Sequence, residues 1–348
     1  GGTLTVTGDI LRGATTGTST AVLNLDGGTL DLSGNDLGGN GSNTNNLTTL
    51  TLASGTLKNV GQINNGAGLT KTTAGTLTLA GASSYTGVTT VSAGKLAVTN
   101  FGDGLTASAF GLAGLAPANL VLATGTTLGY IGAGETSARG FTVNDGATLD
   151  ASGAGAIAIS SAAKVAFANS TATRSLTLDG TSTGANSFGA GLSVGGTLDA
   201  DKINLIVKNG VGTWIIANGE TLKSTAEIDV NVGILGLAAG VLSANGRVVL
   251  ANGSTLRFES GNTDDLSDRV HFANGASATL NFVSDVTFAS ALTVDGATPA
   301  TMVKSGAGKL TLAAANTSVA VTVAQGTVNV THGSGLGTGA TTVNGGLL

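Results

Sequence analysis

The densest group of side chains that could do chemistry is an acidic segment, Asp264-Asp265-Leu266-Ser267-Asp268-Arg269. Clustered aspartates beside a basic residue can bind calcium and act as acid and base on an acidic polysaccharide. The same residues also suit the turn before a strand, because Asp accepts hydrogen bonds from turn backbone and Arg can cover a strand end. We favour the turn, since no second carboxylate cluster lies nearby in the sequence. We therefore expect no metal to bind at Asp264, Asp265 and Asp268.

Nucleophilic catalysis would need a base beside a Ser, Thr or Cys side chain. The chain has two histidines and no cysteine, so thiolate metal sites and thiol redox chemistry are excluded. His271 alternates with Val270 and Phe272, which predicts a position on the outer face of a strand. His332 lies in a predicted turn. We expect no serine in a nucleophile elbow and no catalytic residue in this chain.

Two further features belong to repeated segments of the chain: a lysine that recurs and a single tryptophan. Lys71, Lys208 and Lys304 each stand four residues before a glycine. We expect these lysines on exposed strand edges, where a charge discourages strand pairing between molecules. Trp214 takes the position that Leu77 has in the best copy, and we interpret it as a core residue rather than an exposed platform for sugars.

Short strands position all of these residues. In Gly75-Thr76-Leu77-Thr78-Leu79, apolar and polar residues alternate, which is typical of a strand with one buried face. A second strand, Gly94–Val98, follows after a turn of small residues. We expect the structural core to include Leu77, Leu79, Leu96, Trp214, Leu310 and Leu312.

The repeat predicts the fold. Its best copies are residues 68–100, 205–237 and 301–332, and a unit of this length cannot bury its apolar face without stacking on neighbours. Helical periodicity is nowhere sustained, and residues 101–118, the least strand-like piece, are expected to be a loop or a short helix ended by Pro117. We predict an all-β fold, a right-handed parallel β-helix (β-solenoid). It should form one continuous segment over residues 1–348, without an internal boundary.

Residues 71–98 also carry a resemblance, through the pattern Lys-x-x-x-Gly-Thr-Leu-Thr-Leu-x-Gly-x-x-x-Tyr-Thr-Gly-x-Thr-Thr-Val-x-x-Gly-x-Leu-x-Val. This pattern resembles the autotransporter-associated β-strand repeat of bacterial passenger domains. Residues 304–330 resemble it with one turn residue fewer and without the Tyr-Thr-Gly of Tyr85–Gly87, and residues 208–237 are a poorer copy. The resemblance implies a β-helical scaffold outside the cell or on its surface. It implies no activity, because such repeats occur in adhesins, stalks and some enzymes.

Composition and charge argue against two further classes of function, nucleic acid binding and membrane spanning. Charged residues make up 10% of the chain and its net charge is −5, with no basic run, so we expect no nucleic acid partner. No apolar stretch is long enough for a membrane span within these residues. The chain lacks an initiator Met and a signal peptide, so we expect a mature or excised segment.

Together these features favour a structural, non-catalytic role: a rigid passenger or stalk, or a fibre-forming surface protein in adhesion or matrix scaffolding. The alternative is a polysaccharide-binding or polysaccharide-cleaving parallel β-helix, which a cleft of convergent carboxylates would favour. We expect no cofactor. The expected partners are further coils of the same or neighbouring chains, stacked head to tail, with cell-surface glycans as a second candidate. The expected location is extracellular or on the bacterial cell surface.

Overall fold

The computed structural model describes residues 1–13, 19–41, 45–160, 162–167, 174–192, 202–219, 222–337 and 339–348. These residues form short β-strands joined by turns, and the helical segment among them is a single 3-10 turn, Pro117–Asn119. The strands pair in parallel from one coil to the next, as in a β-solenoid. The predicted all-β parallel solenoid is confirmed, and its right-handedness stays a prediction.

The chain divides into two compact units, Gly1–Arg174 with Ala190–Thr197, and Ser175–Gly189 with Leu198–Leu348. Each unit contains parallel strands that belong to three sheets. The expectation of one continuous segment over residues 1–348, without an internal boundary, stays a prediction.

The first unit alternates between its sheets along the chain. Its strands are β1 (Thr3–Thr5), β2 (Val22–Asp31), β3 (Thr49–Lys58), β4 (Leu69–Lys71), β5 (Thr76–Ala80), β6 (Thr89–Val91), β7 (Lys95–Val98), β8 (Leu120–Leu122), β9 (Thr127–Tyr130), β10 (Ala133–Ser137), β11 (Phe141–Val143), β12 (Ala147–Ala151), β13 (Gly155–Ile159), β14 (Lys164–Phe167) and β17 (Gly191–Leu192). Sheet A1 has the order β1-β2-β3-β5-β7-β9-β12, sheet B1 has the order β17-β14-β11-β8-β6-β4, and sheet C1 pairs β10 with β13.

The second unit is built in the same way. Its strands are β15 (Ser175–Asp179), β16 (Asn186–Phe188), β18 (Ile203–Lys208), β19 (Thr213–Ile216), β20 (Leu222–Val230), β21 (Ile234–Leu237), β22 (Arg247–Leu250), β23 (Thr255–Phe258), β24 (Val270–Ala273), β25 (Ser277–Phe282), β26 (Val286–Phe288), β27 (Thr293–Asp295), β28 (Ala300–Ser305), β29 (Lys309–Leu312), β30 (Val319–Val323), β31 (Thr327–Val330) and β32 (Thr342–Val343). Sheet A2 has the order β15-β18-β20-β22-β24-β27, sheet B2 has the order β16-β19-β21-β23-β25-β28-β30-β32, and sheet C2 has the order β26-β29-β31.

Side chains of the same kind stack from coil to coil in the interior. In sheet A1, Leu77 pairs with Leu96, Leu96 with Leu128, and Leu128 with Leu149. All four are buried, while Thr76 and Thr78, on either side of Leu77 in its strand, are exposed and half-buried respectively. A parallel, in-register stack therefore turns one apolar position of a short strand into a continuous column of core.

The segment from Phe101 to Pro117 leaves the regular coil and is held by a buried arginine. Arg139 Nε donates to the carbonyl of Phe101 at 3.0 Å, and Nη1 donates to that of Ala113 at 3.1 Å. Residues 101–116 form turns and bends, which is the loop alternative of the two expected, and a 3-10 turn begins at Pro117 instead of a helix ending there. Proline suits the first position of a helix, because its N–H would have no partner there and its φ is already helical.

Candidate functional site

The six residues predicted as structural core lie in the interior. Each is at most 2% exposed: Leu77, Leu79, Leu96, Trp214, Leu310 and Leu312. Trp214 pairs with Asn186 on one side and Leu235 on the other, and its Nε1 donates to the carbonyl of Asp179 at 2.7 Å. A ring with so little accessible surface cannot stack on a sugar from solution. How much these residues stabilise the fold stays a prediction.

In the acidic segment, two neighbouring carboxylates accept hydrogen bonds from different coils. Asp264 Oδ2 accepts from the N–H of Gly240 at 2.6 Å, in the preceding coil. Asp265 Oδ2 accepts from the N–H of Ala289 at 3.0 Å, in the following coil, and its Oδ1 accepts from Ser267 Oγ at 2.6 Å. The two side chains therefore diverge and tie three coils together, instead of converging on one ligand.

The rest of this segment follows the same arrangement. Arg269 Nη1 donates to the carbonyls of Leu242 and Ser243 at 3.1 and 3.0 Å, so the guanidinium binds the loop between β21 and β22 instead of covering a strand end. Asp268 remains 63% exposed at the side chain, and its Oδ1 lies 3.5 Å from Arg269 Nε. Across the described residues, no group of three or more His, Cys, Asp or Glu side chains could hold a metal ion.

The outer face of sheet A2 carries a polar cluster that no sequence motif indicates. His271 Nδ1 lies 2.7 Å from Asp295 Oδ1, and Arg247 Nη2 lies 2.5 Å from Glu227 Oε2. Burial, together with the neighbouring charge of Glu227, raises the pKa of Asp229. The five residues come from β20, β22, β24 and β27, so only the register between coils brings them together.

Two other candidates for catalysis occupy ordinary turns. His332 Nδ1 accepts from the N–H of Ser334 at 3.1 Å. Gly-x-Ser-x-Gly sequences do occur, at 180–184 and 191–195; Ser193 of the second lies outside the described residues, and Ser182 of the first lies between strands β15 and β16. A nucleophile elbow needs a strand followed by a helix, so Ser182 is not placed as a nucleophile.

The repeated lysines are where the structure departs most from expectation. Lys71, Lys208 and Lys304 are each 0% exposed, so the expectation of exposed strand-edge charges is wrong. Each side chain points inward in line with the preceding buried residue of its strand, as the burial of Leu69, Ile206 and Met302 shows. An ammonium group in such a place must find acceptors inside the protein.

Lys208 and Lys304 find the same set of acceptors. Lys208 Nζ donates to the carbonyls of Asn209, Gly210 and Val232 at 2.6, 2.7 and 3.1 Å. Lys304 Nζ donates to those of Ser305, Gly306 and Gln325 at 3.0, 2.6 and 3.0 Å. In each case two acceptors belong to the lysine's own turn and the third belongs to the next coil. Burial lowers the pKa of Lys208 and of Lys304 to about 8.

Lys71 uses a different partner. Its Nζ donates to the carbonyl oxygen of Thr73 and to Thr73 Oγ1, the latter at 2.7 Å. Thr73 Oγ1 in turn donates to the carbonyl of Ala53 at 2.8 Å, in the preceding coil. Burial lowers the pKa of Lys71 as well.

Two of the three buried lysines, with the strands that follow them, fall within ranges that match a known sequence family. The family described as the passenger-associated-transport-repeat matches residues 69–98 and 302–330. The chain contains this repeat twice. The two matched copies include Lys71 and Lys304, together with the Gly-led strands that follow them. Residues 205–237 lie outside the matched ranges, although Lys208 has the same acceptors as Lys304.

One similar curated protein is an autotransporter, the adhesin BmaC of Brucella suis biovar 1 (strain 1330). The two proteins are 34% identical over 146 residues. This stretch is 42% of the present chain and 4% of the adhesin. The chain thus spans a small fraction of that relative. No solved structure matches the chain significantly. None of the helices formed by the described residues has the length and apolar character needed to cross a membrane.

Proposed function

We propose that this chain is a structural, non-catalytic segment of a surface protein, which supports or forms an adhesive region. Its extracellular or cell-surface location follows from the passenger-associated-transport-repeat and the autotransporter relative. The observation that carries the proposal is how the chain uses its polar groups. Asp264, Asp265, Lys208 and Lys304 bind the chain's own backbone and connect coils.

The outer faces support an adhesive use. On sheet A1, Thr3, Thr29, Thr56 and Thr78 stack in one row across four coils. Such a row is neutral and rich in hydroxyl groups, and it repeats at the coil spacing of about 4.8 Å. It suits weak, repeated contacts with another flat surface, and cell-surface glycans are the partner class that we propose for it. The word adhesin in the relative's name agrees with this use.

Association of coils from neighbouring chains is a further part of the proposal. Head-to-tail contact that repeats without closure produces a filament. Light scattering and electron microscopy of the 348-residue chain over a range of concentrations test it. Growth of elongated particles with concentration is expected, and a dispersed monomer at every concentration would contradict the filament.

The absence of catalysis is tested with the substrate that the acidic segment would suit. The chain is incubated with polygalacturonate and calcium, and the release of reducing ends is measured beside a heat-treated sample. We expect no release above that of the control, because Asp264 and Asp265 diverge. Release that Asp265→Asn abolishes, together with saturable calcium binding by calorimetry, would overturn the non-catalytic role.

A further inference from the structure

The lysine with its three carbonyl acceptors forms a unit that we call the lysine clamp. Lys208 pairs with Val230 in the next coil, and Lys304 pairs with Leu280 on one side and Val323 on the other. Each lysine therefore occupies one position in an otherwise aliphatic column of paired residues, and its ammonium group reaches the turn that follows the strand. A Lys ammonium has three donors, and in both clamps three backbone oxygens accept them.

The clamp occurs at two different corners of the second unit. Lys208 ends β18 in sheet A2, and the chain then enters β19 in sheet B2. Lys304 lies in β28 of sheet B2, and the chain then enters β29 in sheet C2. The same acceptors recur although the sheets before and after the turn differ. The clamp is thus a property of the turn and not of one face of the solenoid.

Glycine in the next coil makes room for the clamp. Gly326 has a φ of +72°, and a Cβ built on it would lie 2.6 Å from Lys304 Nζ. Gly306, whose carbonyl is an acceptor, has a φ of +76°. Both positions therefore favour glycine, one through the close approach of the ammonium and both through the left-handed backbone. The glycine that begins the second strand of the repeat, Gly326, therefore leaves room for the ammonium group, whereas Gly308 of the Lys-x-x-x-Gly spacing lies against the carbonyl of Ser284 in the preceding coil.

Other charged groups modify the clamp from a distance. Asp285 acts on Lys304 and Asp179 acts on Lys208, in each case favouring the protonated amine. The ring centroid of Phe282 lies 5.8 Å from Lys304 Nζ. Among the described residues, the acceptors of both Nζ groups are backbone carbonyl oxygens, so backbone dipoles and these distant charges hold the proton against burial.

We propose that the carbonyl cage at each clamp is a receptor for a primary ammonium group, which the repeat fills with its own lysine to fix a corner and the register of the next coil. This inference does not depend on the proposed adhesive role, because it concerns the ligand of the turn and not the partner of the surface.

The receptor is tested by removing the lysine ammonium group through substitution and then adding a small primary ammonium ion to the solution. In the full chain, Lys304→Ala leaves a space that n-propylammonium matches in length and charge. We expect the variant to have a lowered thermal midpoint, and n-propylammonium to raise that midpoint while leaving the wild type unchanged. n-Propanol and tetramethylammonium should fail, since the first has no charge and the second has no N–H donor.

Lys309→Ala is the matched control, because Lys309 lies in the same repeat copy and its side chain is 49% exposed. Its thermal midpoint should change little, and n-propylammonium should have no specific effect on it. A Lys304→Ala variant that is as stable as the wild type, or one whose lowered midpoint n-propylammonium raises no more than n-propanol does, would overturn the receptor.

A measurement on the folded chain covers the case in which Lys304→Ala does not fold. With lysines labelled by 15N at Nζ, the wild type should show ammonium signals that exchange slowly with water, and Lys304→Met and Lys208→Met should each remove one signal. Exchange should be on the order of tenfold or more slower than at Lys309, because the clamp must open before the proton leaves. Equal, fast exchange at all lysines would contradict the clamp.

Discussion

The two copies that match the passenger-associated-transport-repeat place a buried lysine before the same kind of corner but hold it differently. In the copy at 302–330, Lys304 Nζ reaches Gln325 in the following coil. In the copy at 69–98, Lys71 Nζ binds Thr73, whose hydroxyl continues to Ala53 in the preceding coil. Gly306 stands where Thr73 stands in the earlier copy, two residues after the lysine. One residue of the turn therefore decides which neighbouring coil the lysine ties.

The largest effect should come from the core that both copies share. Leu79 and Leu312 stand eight residues after Lys71 and Lys304 and are 2% and 1% exposed. Leu79→Ala and Leu312→Ala should each lower the free energy of unfolding by about 2–5 kcal/mol, through lost burial and a residual cavity. Denaturant titration measures it. A marked loss in one copy and almost none in the other would show that the copies do not share a core.

Substitution of the two buried lysines should lower the free energy of unfolding by less, and by different amounts in the two copies. Lys304→Met leaves three carbonyls without their donor and should cost about 1–3 kcal/mol. Lys71→Met removes contacts to the one residue Thr73, whose hydroxyl keeps Ala53, and should cost about 1 kcal/mol or less. The two variants are compared by denaturant titration in the full chain. A larger loss for Lys71→Met would reverse the comparison.

The role of Thr73 can be tested without touching a lysine. Thr73→Val removes the hydroxyl between Lys71 and Ala53 and should lower the free energy of unfolding by about 1 kcal/mol. Thr73→Ser keeps the hydroxyl and is the matched control. If the Val variant is as stable as the Ser variant, the hydroxyl does not link the two coils.

The pH dependence of stability tests the two clamps of the second unit. The pKa of Lys304 falls from 10.5 to about 8 on folding, and that of Lys208 falls equally. Between these values the unfolded chain keeps protons that the folded chain has released, so each lysine makes the free energy of unfolding rise with pH. Below pH 8 this contribution is flat. The rise should be reduced in Lys208→Met and Lys304→Met and retained in Lys309→Ala.

The difference between wild type and variant is needed because Tyr85 acts in the opposite direction. Burial raises its pKa to about 12, so its contribution to stability is lost as the pH rises above 10. Subtracting the variant profile from the wild-type profile removes this common contribution. An unchanged slope in both lysine variants would mean that neither lysine changes its pKa on folding.

The fold could be predicted from the sequence because each strand carries its own signal. Alternation in Thr76-Leu77-Thr78-Leu79 assigns the inward face, and repetition of the strand requires stacking. Lys71 stands two residues after Leu69, which is on the inward face by the same alternation. The expectation that charges lie outside holds only when no internal acceptors are available.

The outer-face cluster of sheet A2 could not be predicted in the same way. Glu227, Arg247, His271 and Asp295 meet because β20, β22, β24 and β27 stack in a particular register. That register depends on the lengths of the turns between strands, and these vary from coil to coil. Local patterns do not specify it, so contacts across coils need the structure.

Chemical labelling of the lysines tests most directly whether they are buried in the corners. The native chain is treated briefly with an amine-acetylating reagent at about pH 8.5, and each lysine is quantified by mass spectrometry. Lys71, Lys208 and Lys304 should stay unmodified while Lys309 and Lys58, whose side chains are 49% and 38% exposed, react. Unfolding should make all five react alike. Equal modification of Lys304 and Lys309 in the native chain would contradict the account.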